Sequence, residues 1–388
     1  MTNLMTNSLK VVTQKSGYIE FGVFLDKTQA DIQNLLLQIY YAHRAYEELP
    51  QTFPMVVELL DKEIVASSIY STTSIEGTAL ESEEAVAEVL ELSPEEIKTV
   101  NQRASANMKE AYDYARRESQ KPDFRLTEKY IKKIHELVTK DIPHCYNVPG
   151  FYRDNLKLDV PTKVGNERTG GVYRPPKTLQ DIQTLMTALV QWMDSEETKK
   201  ESPLIIAPIV HFYFELIHPF WDGNGRVGRV LEAMILKAGG YLHAPFRMAN
   251  YYRNHIEQYF SLFNQCRRAL EKKDPNAHYP FVKFFLDGFL GAVEETKDRV
   301  IGFVRTMASR DYSLQLLRTK DINPRQYTIL LQLLSQGPIS KKELELQPWY
   351  TALYHRRTSR TRLRDLNKLL SKNLLSEKDG KLAVFHMP

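Results

Sequence analysis

Apolar residues recur at spacings of three and four along most of this chain, a pattern that predicts one helix after another. Helices are expected over Asp26–Leu49, Val56–Ile75, Pro94–Ser119, Thr127–Lys140, Lys177–Asp194, Leu204–Ile217, Gly225–Ala238 and Asn250–Glu271. A longer one is expected over Tyr279–Met307, kinked near Gly288 and Gly291. Asp26 and Thr28 are cap candidates for the first helix, and Gly77 is a left-handed stop for the second. One internal stretch breaks the rhythm. Lys157–Pro176 mixes β-formers with Gly-Asn and Gly-Gly turn signals, which predicts a hairpin ending at Pro175–Pro176.

The tail has its own pattern. A helix is expected over Pro324–Ser335, a short one over Ile339–Leu344, and a third over Ser359–Lys372 with Leu363, Leu366, Leu369 and Leu370 on its buried side. Two apolar runs then flank an Asp379–Gly380 turn. Three helices followed by a hairpin is the winged-helix order. The expected fold class is therefore mostly α: a helical core with a β-hairpin flap, plus a C-terminal winged helix. The expected boundaries are 1–110, 111–310 and 320–388.

Composition narrows the class. The 388 residues suffice for two or three domains and a sizeable core. Apolar residues make up 43% and charged residues 26%, an ordinary soluble composition. The apolar stretch Leu204–Trp221 is interrupted by His211, Glu215 and His218, so no membrane span is expected. The N-terminus lacks the apolar region of a signal peptide. Cys145 and Cys266 offer neither a disulfide framework nor metal-ligand spacing, which fits a reducing compartment. A cytoplasmic location is the resulting expectation. Net charge is only +4, but Lys320–Pro388 holds 13 Lys and Arg against 6 Asp and Glu, a net +7. The tail therefore looks like a separate basic module.

The chemistry concentrates in residues 218–229, HPFWDGNGRVGR. Gly223–Gly228 fits the dinucleotide pattern GxGxxG, but no Asp or Glu follows between Ala233 and Ile256, and the preceding segment reads as helix. No GxxxxGK[ST] loop is present either. A glycine-rich turn opening a helix does suit an anion, because unpaired N–H groups and the helix dipole both favour it. Arg226 and Arg229 are three apart and share a face, so they can clamp phosphates. Asp222 is placed to hold a divalent ion, and the hard ion Mg²⁺ prefers such oxygens. His218 is the natural acceptor of a hydroxyl proton near neutral pH. Phe220 is expected in the core, under the loop.

This segment resembles the Fic family signature HxFx(D/E)GNGRxxR at every specified position. The resemblance extends over roughly residues 50–300 with its flanks. It implies a helical fold and a transfer of AMP from ATP to a Tyr, Ser or Thr hydroxyl of a target protein, with pyrophosphate leaving. The family roles then fall on His218 as base, Asp222 as Mg²⁺ ligand, and Gly223, Asn224, Gly225, Arg226 and Arg229 as phosphate binders. The Lys157–Pro176 hairpin corresponds to a flap that lays out the target by β-augmentation. Tyr259 and Phe260 stand where relatives place an adenine-stacking pair. Residues 71–77, STTSIEG, resemble the family's inhibitory motif (S/T)xxxE(G/N), with Thr72, Glu76 and Gly77 at the specified places. The resemblance implies that Glu76 pairs with Arg229 and so repels the γ-phosphate.

Other readings stay open at this stage. The same fold could remove AMP, transfer another nucleotide, or serve as the ligand sensor of a DNA-binding regulator. The partners expected are ATP, a target protein, the chain itself as substrate, and a DNA or protein partner for the winged helix. No membrane partner is expected, and a homodimer is left open.

Overall fold

The computed structural model describes residues 9–12, 18–45, 47–48 and 54–384. The chain divides into two compact units, Met1–Glu48 with Val57–Lys297, and Leu49–Val56 with Asp298–Pro388. Most described residues are helical, and no helix among them is long and apolar enough to cross a membrane.

The first unit opens with two short antiparallel strands, β1 (Leu9–Val12) and β2 (Tyr18–Phe21), which the sequence pattern did not suggest. Its longer helices are α1 (Ala30–Arg44), α2 (Pro54–Ile75, which starts in the second unit's segment), α3 (Glu83–Leu90), α4 (Val100–Ser119), α5 (Glu128–Thr139), α6 (Leu179–Met193), α7 (Pro203–Ile217), α8 (Asn224–Ala238), α9 (Met248–Asn254) and α10 (Ile256–Glu271). The long helix α11 (Tyr279–Arg318) continues into the second unit. Side-chain caps fix several starts. Thr99 and Gln102 form a capping box on α4, and Thr127 and Thr178 accept the Tyr130 and Asp181 amides.

The core of this unit is α7, whose residues from Leu204 to Phe214 are all buried. α8 lies close along it: a Cβ at Gly228 would come within 2.7 Å of the His211 ring. That approach needs a glycine and sets the loop between the two helices in a fixed place.

Several expectations are corrected. α3 was missed, although Ser82 caps it and Glu83 and Glu84 suit its N-terminal dipole. α4 begins at Val100, not Pro94, because the capping box sits at Thr99. The expected Asn250–Glu271 helix breaks at His255, where ψ is 37°. The helix starting at Tyr279 runs on to Arg318. Lys157–Pro176 is not a hairpin of paired strands: one bridge joins Val164 to Tyr173. Gly165, Gly170 and Gly171 all take positive φ, and Pro175 and Pro176 lack N–H groups, so no longer ladder forms. Asn264 holds the loop instead, its amide donating to the Thr169 and Gly171 carbonyls at 3.0 and 2.8 Å.

The second unit contains α12 (Pro324–Gln336), β3 (Ile339–Ser340), α13 (Lys341–Leu346), α14 (Pro348–Leu353), α15 (Ser359–Ser371), β4 (Leu375–Lys378) and β5 (Lys381–Val384). The three strands form one antiparallel sheet in the order β3-β5-β4. Ile329, Leu333, Leu344, Leu369 and Leu382 close its core. The buried carboxylate of Asp365 accepts from Arg325, Asn323 and Tyr354 and ties α15 to α12. Leu363, expected on the buried side of α15, is 59% exposed.

Candidate active site

His218 caps the C-terminus of α7 in a left-handed conformation, φ 49°. A non-glycine residue rarely adopts this backbone, and here it is held from below. The Arg153 side chain is fully buried, and its fork donates to the His218 and Ile217 carbonyls at 2.7 and 3.4 Å. It also contacts the Asn155 side chain, whose amide donates to the Val160 carbonyl. Burial pushes the Arg153 pKa down to about 10, which still leaves it charged at neutral pH. One buried arginine thus ties the His218 turn to the foot of the flap loop. Nδ1 of His218 lies 3.3 Å from Oε2 of Glu215, one turn back on α7.

The next residues form a rigid turn. Phe220 is fully buried, as expected, and stacks on the His135 ring at 3.6 Å. Gly150 N–H donates to His135 Nδ1 at 2.8 Å, so Nε2 carries the proton and donates to the Asp222 carbonyl at 3.1 Å. Burial pushes the His135 pKa down to about 4, which keeps it neutral. The Asn224 side chain closes the turn, bonded to both the N–H and the C=O of Phe220. Gly223 has φ 79°, and a Cβ there would meet Thr139 at 2.9 Å.

The two arginines of α8 part company. Arg226 donates to the Asp222 carboxylate at 2.8 Å and to the Val138 carbonyl at 3.2 Å. Arg229 reaches the other way. Its Nη2 donates to Glu76 at 2.5 Å and its Nε to Thr72 Oγ1 at 2.8 Å. Glu76 sits just past α2, and Gly77 follows it with φ 73°. A Cβ at Gly225 would come within 2.5 Å of Glu76 Oε1. Behind Arg229 lies a buried polar chain. Arg229 Nη1 is 3.5 Å from the Tyr259 hydroxyl, which meets His211 Nε2 at 3.1 Å. His211 Nδ1 meets Glu232 at 2.8 Å, and Glu232 accepts from Tyr252.

A pocket of about 300 Å³ opens on these groups. Glu76, Glu215, His218, Gly225, Arg229, Tyr259 and Phe260 line it, facing Gly165, Asn166, Thr169 and Tyr173 of the flap loop. Asp222, Gly223, Asn224 and Arg226 stand outside that lining and build the turn beneath it. Tyr259 is 1% exposed and stacks one ring face on Tyr252; Phe260 is 37% exposed. Arg153, His135, Glu215 and Asn264 escaped the sequence reading. Of these, only Glu215 carried a local signal, three residues from His218 on a helix.

A metal centre made by the protein alone is not formed: no group of three or more His, Cys, Asp or Glu side chains among the described residues could hold an ion. Asp222 keeps one carboxylate oxygen clear of Arg226 and is 31% exposed. A single carboxylate fits Mg²⁺, which takes most of its ligands from phosphates and water.

Residues 125–236 match the Fic/DOC family model. The chain is 33% identical over 139 residues to a probable protein adenylyltransferase of Aquifex aeolicus, covering 36% of this chain and 38% of that protein. It is 28% identical over 182 residues to protein adenylyltransferase Fic of Drosophila grimshawi, covering 46% of this chain and 31% of that protein. The matches thus span about a third of those relatives. The fold is similar to that of a Fic family protein from Desulfovibrio desulfuricans, with a TM-score of 0.55 at 21% identity, over 93% of this chain and 97% of that one.

Proposed function

The chain carries a Fic/DOC-family domain, and from that premise we propose that it is a protein adenylyltransferase whose activity Glu76 holds low. The observation that carries this reading is one pocket shared by His218, the opening turn of α8 and an Arg229 already bound to a carboxylate.

In this reading ATP lies over the start of α8, whose first N–H groups point at its phosphates. Glu215, its carboxylate 3.3 Å from Nδ1 of His218, favours a proton on that nitrogen, which leaves Nε2 to take the proton from a target hydroxyl. The hydroxyl oxygen bonds to the α-phosphorus as the bond to the bridging oxygen breaks, and pyrophosphate departs. Mg²⁺, held by Asp222, would neutralise the charge that gathers on that leaving group. Arg226 steers the Asp222 carboxylate, and His135 steers its backbone. Phe260, 37% exposed on the pocket wall, offers an aromatic face for the adenine. The flap loop presents the target, and the C-terminal unit, a winged helix by its element order, recruits a partner.

The brake follows from charge. Arg229 is nearly fully buried, and a buried cation needs a counter-ion. Glu76 supplies it, and the same carboxylate repels a γ-phosphate. The test is labelling with α- and γ-labelled ATP and Mg²⁺, using wild type, Glu76→Gly and Glu76→Gly/His218→Ala. Label on protein from the α position alone is expected, stronger in the first variant and lost in the second. A Glu76→Gly protein that takes no α label would refute the reading.

A further inference from the structure

The exposed face of α15 sets an exposed leucine among cations that have no counter-charge in the described residues. The helix buries Asp365, Leu366 and Leu369. Its outward stripe, at spacings of three and four, is Arg360, Leu363, Arg364 and Asn367, all exposed. Leu363 sits in the middle of it, 59% exposed between two arginines.

This part of the unit breaks three local electrostatic rules together. Arg360 and Arg364 are like charges one turn apart, which repel. Arg360 and Arg362 occupy the first turn of α15, with no acidic residue there, although the dipole disfavours cations at that end. Lys378 and Lys381 stand directly opposite each other across β4 and β5, where like charges also repel. No ion pair offsets Arg356, Arg357, Arg360, Arg364 or Lys378 among the described residues. Elsewhere the chain pairs its surface charges at such spacings, as in Lys109–Asp113 and Lys283–Asp287. A polyanion would convert all three costs into gains.

The side chains on the stripe say which polyanion. Arginine binds the guanine edge bidentately, asparagine the adenine edge, and an apolar group packs on the thymine methyl. A surface built only for negative charge needs neither Asn367 nor Leu363. An interfacial membrane helix needs a broad apolar face, and one leucine is not that. We propose that the second unit binds duplex DNA, reading base edges through Arg360, Leu363, Arg364 and Asn367 of α15. Arg356 and Arg357 before the helix, and Lys378 and Lys381 on the hairpin, bind backbone phosphates. This is a second activity, independent of the transfer chemistry.

The experiment uses the full chain and fluorescence anisotropy with a randomised duplex pool, after selection for bound sequences. Binding should weaken steeply with salt. Arg360→Ala/Arg364→Ala should lose affinity for the selected duplex by roughly tenfold or more. Asn367→Ala should flatten the preference at one adenine position. Removing the like charges should leave the melting temperature unchanged or raised, so lost binding is not lost folding. α-Label transfer by these variants should stay at the level of the unmutated chain. Equal binding by wild type and the double variant overturns the proposal. So does a pool that yields no preferred sequence, or stronger capture by phosphatidylserine vesicles or polyglutamate than by duplex.

Discussion

Nδ1 of His218 lies 3.3 Å from Oε2 of Glu215, so a carboxylate of the same helix faces the ring that caps α7. Glu215 is largely shielded from solvent, which by itself raises a carboxyl pKa. His218 and the nearby His211 and Arg229 more than offset this, and the net shift is downward. The group is therefore an anion at neutral pH. In the proposed reaction it sets which ring nitrogen of His218 is left to take a proton. Glu215→Gln, made in the Glu76→Gly background, should lower the transfer rate by roughly 10- to 100-fold. ATP affinity should change little, because the lost contact lies on His218, the proposed base, and not on the proposed phosphate groups. A variant whose loss appears in KM for ATP and not in kcat would contradict this role.

Arg153 offers a second test. Its fork satisfies carbonyls at the end of α7, and truncation would leave them buried without donors. Arg153→Ala should cost about 3 kcal/mol of stability, the scale of charged hydrogen bonds lost in a buried site. Arg153→Lys keeps the charge but not the fork, and it should recover only part of that. Urea denaturation measures both. Lysine equal to arginine would show that charge alone matters there.

Tyr259 and Phe260 are neighbours with different surroundings. Phe260→Ala should weaken ATP binding by roughly fivefold to tenfold, the size of one lost stacking contact. Tyr259→Phe keeps the ring stacked on Tyr252 and removes only the hydroxyl between Arg229 and His211. Its effect should depend on the γ-phosphate: ATP binding should fall while AMP binding holds. Calorimetry with both nucleotides separates the cases, and equal losses for both would count against this division.

Two buried histidines set an acid limit. His135 and His278 each accept a backbone N–H at Nδ1, from Gly150 and Phe24. Burial pushes their pKa values down to about 4 and about 3. The unfolded chain binds those protons near pH 6.5, so below that pH it holds more protons than the folded one. Stability should therefore fall as pH drops from about 6.5 towards 4, by up to ~1.4 kcal/mol per pH unit for each histidine. His278→Gln, read by urea titrations at pH 7, 6 and 5, should flatten that slope. An unchanged slope would remove His278 from the account.

What the sequence displayed was local. The helices carry caps and periodicity within a turn or two of themselves, so most ends lie within a few residues of expectation. The 218–229 segment could be read because its chemistry is contiguous. The scaffold beneath it could not, because its contacts join residues far apart in the chain: His135 meets Asp222 and Arg153 meets His218. Spacing put Arg226 and Arg229 on one face, yet tertiary partners turn them apart, one to Asp222 and the other to Glu76. Leu363 failed for the same reason. Its leucine neighbours suggested core, while the buried arc of α15 runs through Asp365, Leu366 and Leu369. The flap loop misled because β-formers and turn signals do not reveal a loop held from outside by Asn264.

The pairing of Glu76 with Arg229 has a thermodynamic side. If the carboxylate and the triphosphate are alternative counter-ions for one buried guanidinium, their occupancies are linked and the linkage is reciprocal. Whatever draws Glu76 away tightens the nucleotide by some factor, and the nucleotide loosens the Glu76 segment by the same factor. The chain would then report its nucleotide load at the end of α2, where Glu76 and the exposed Gly77 reach solvent.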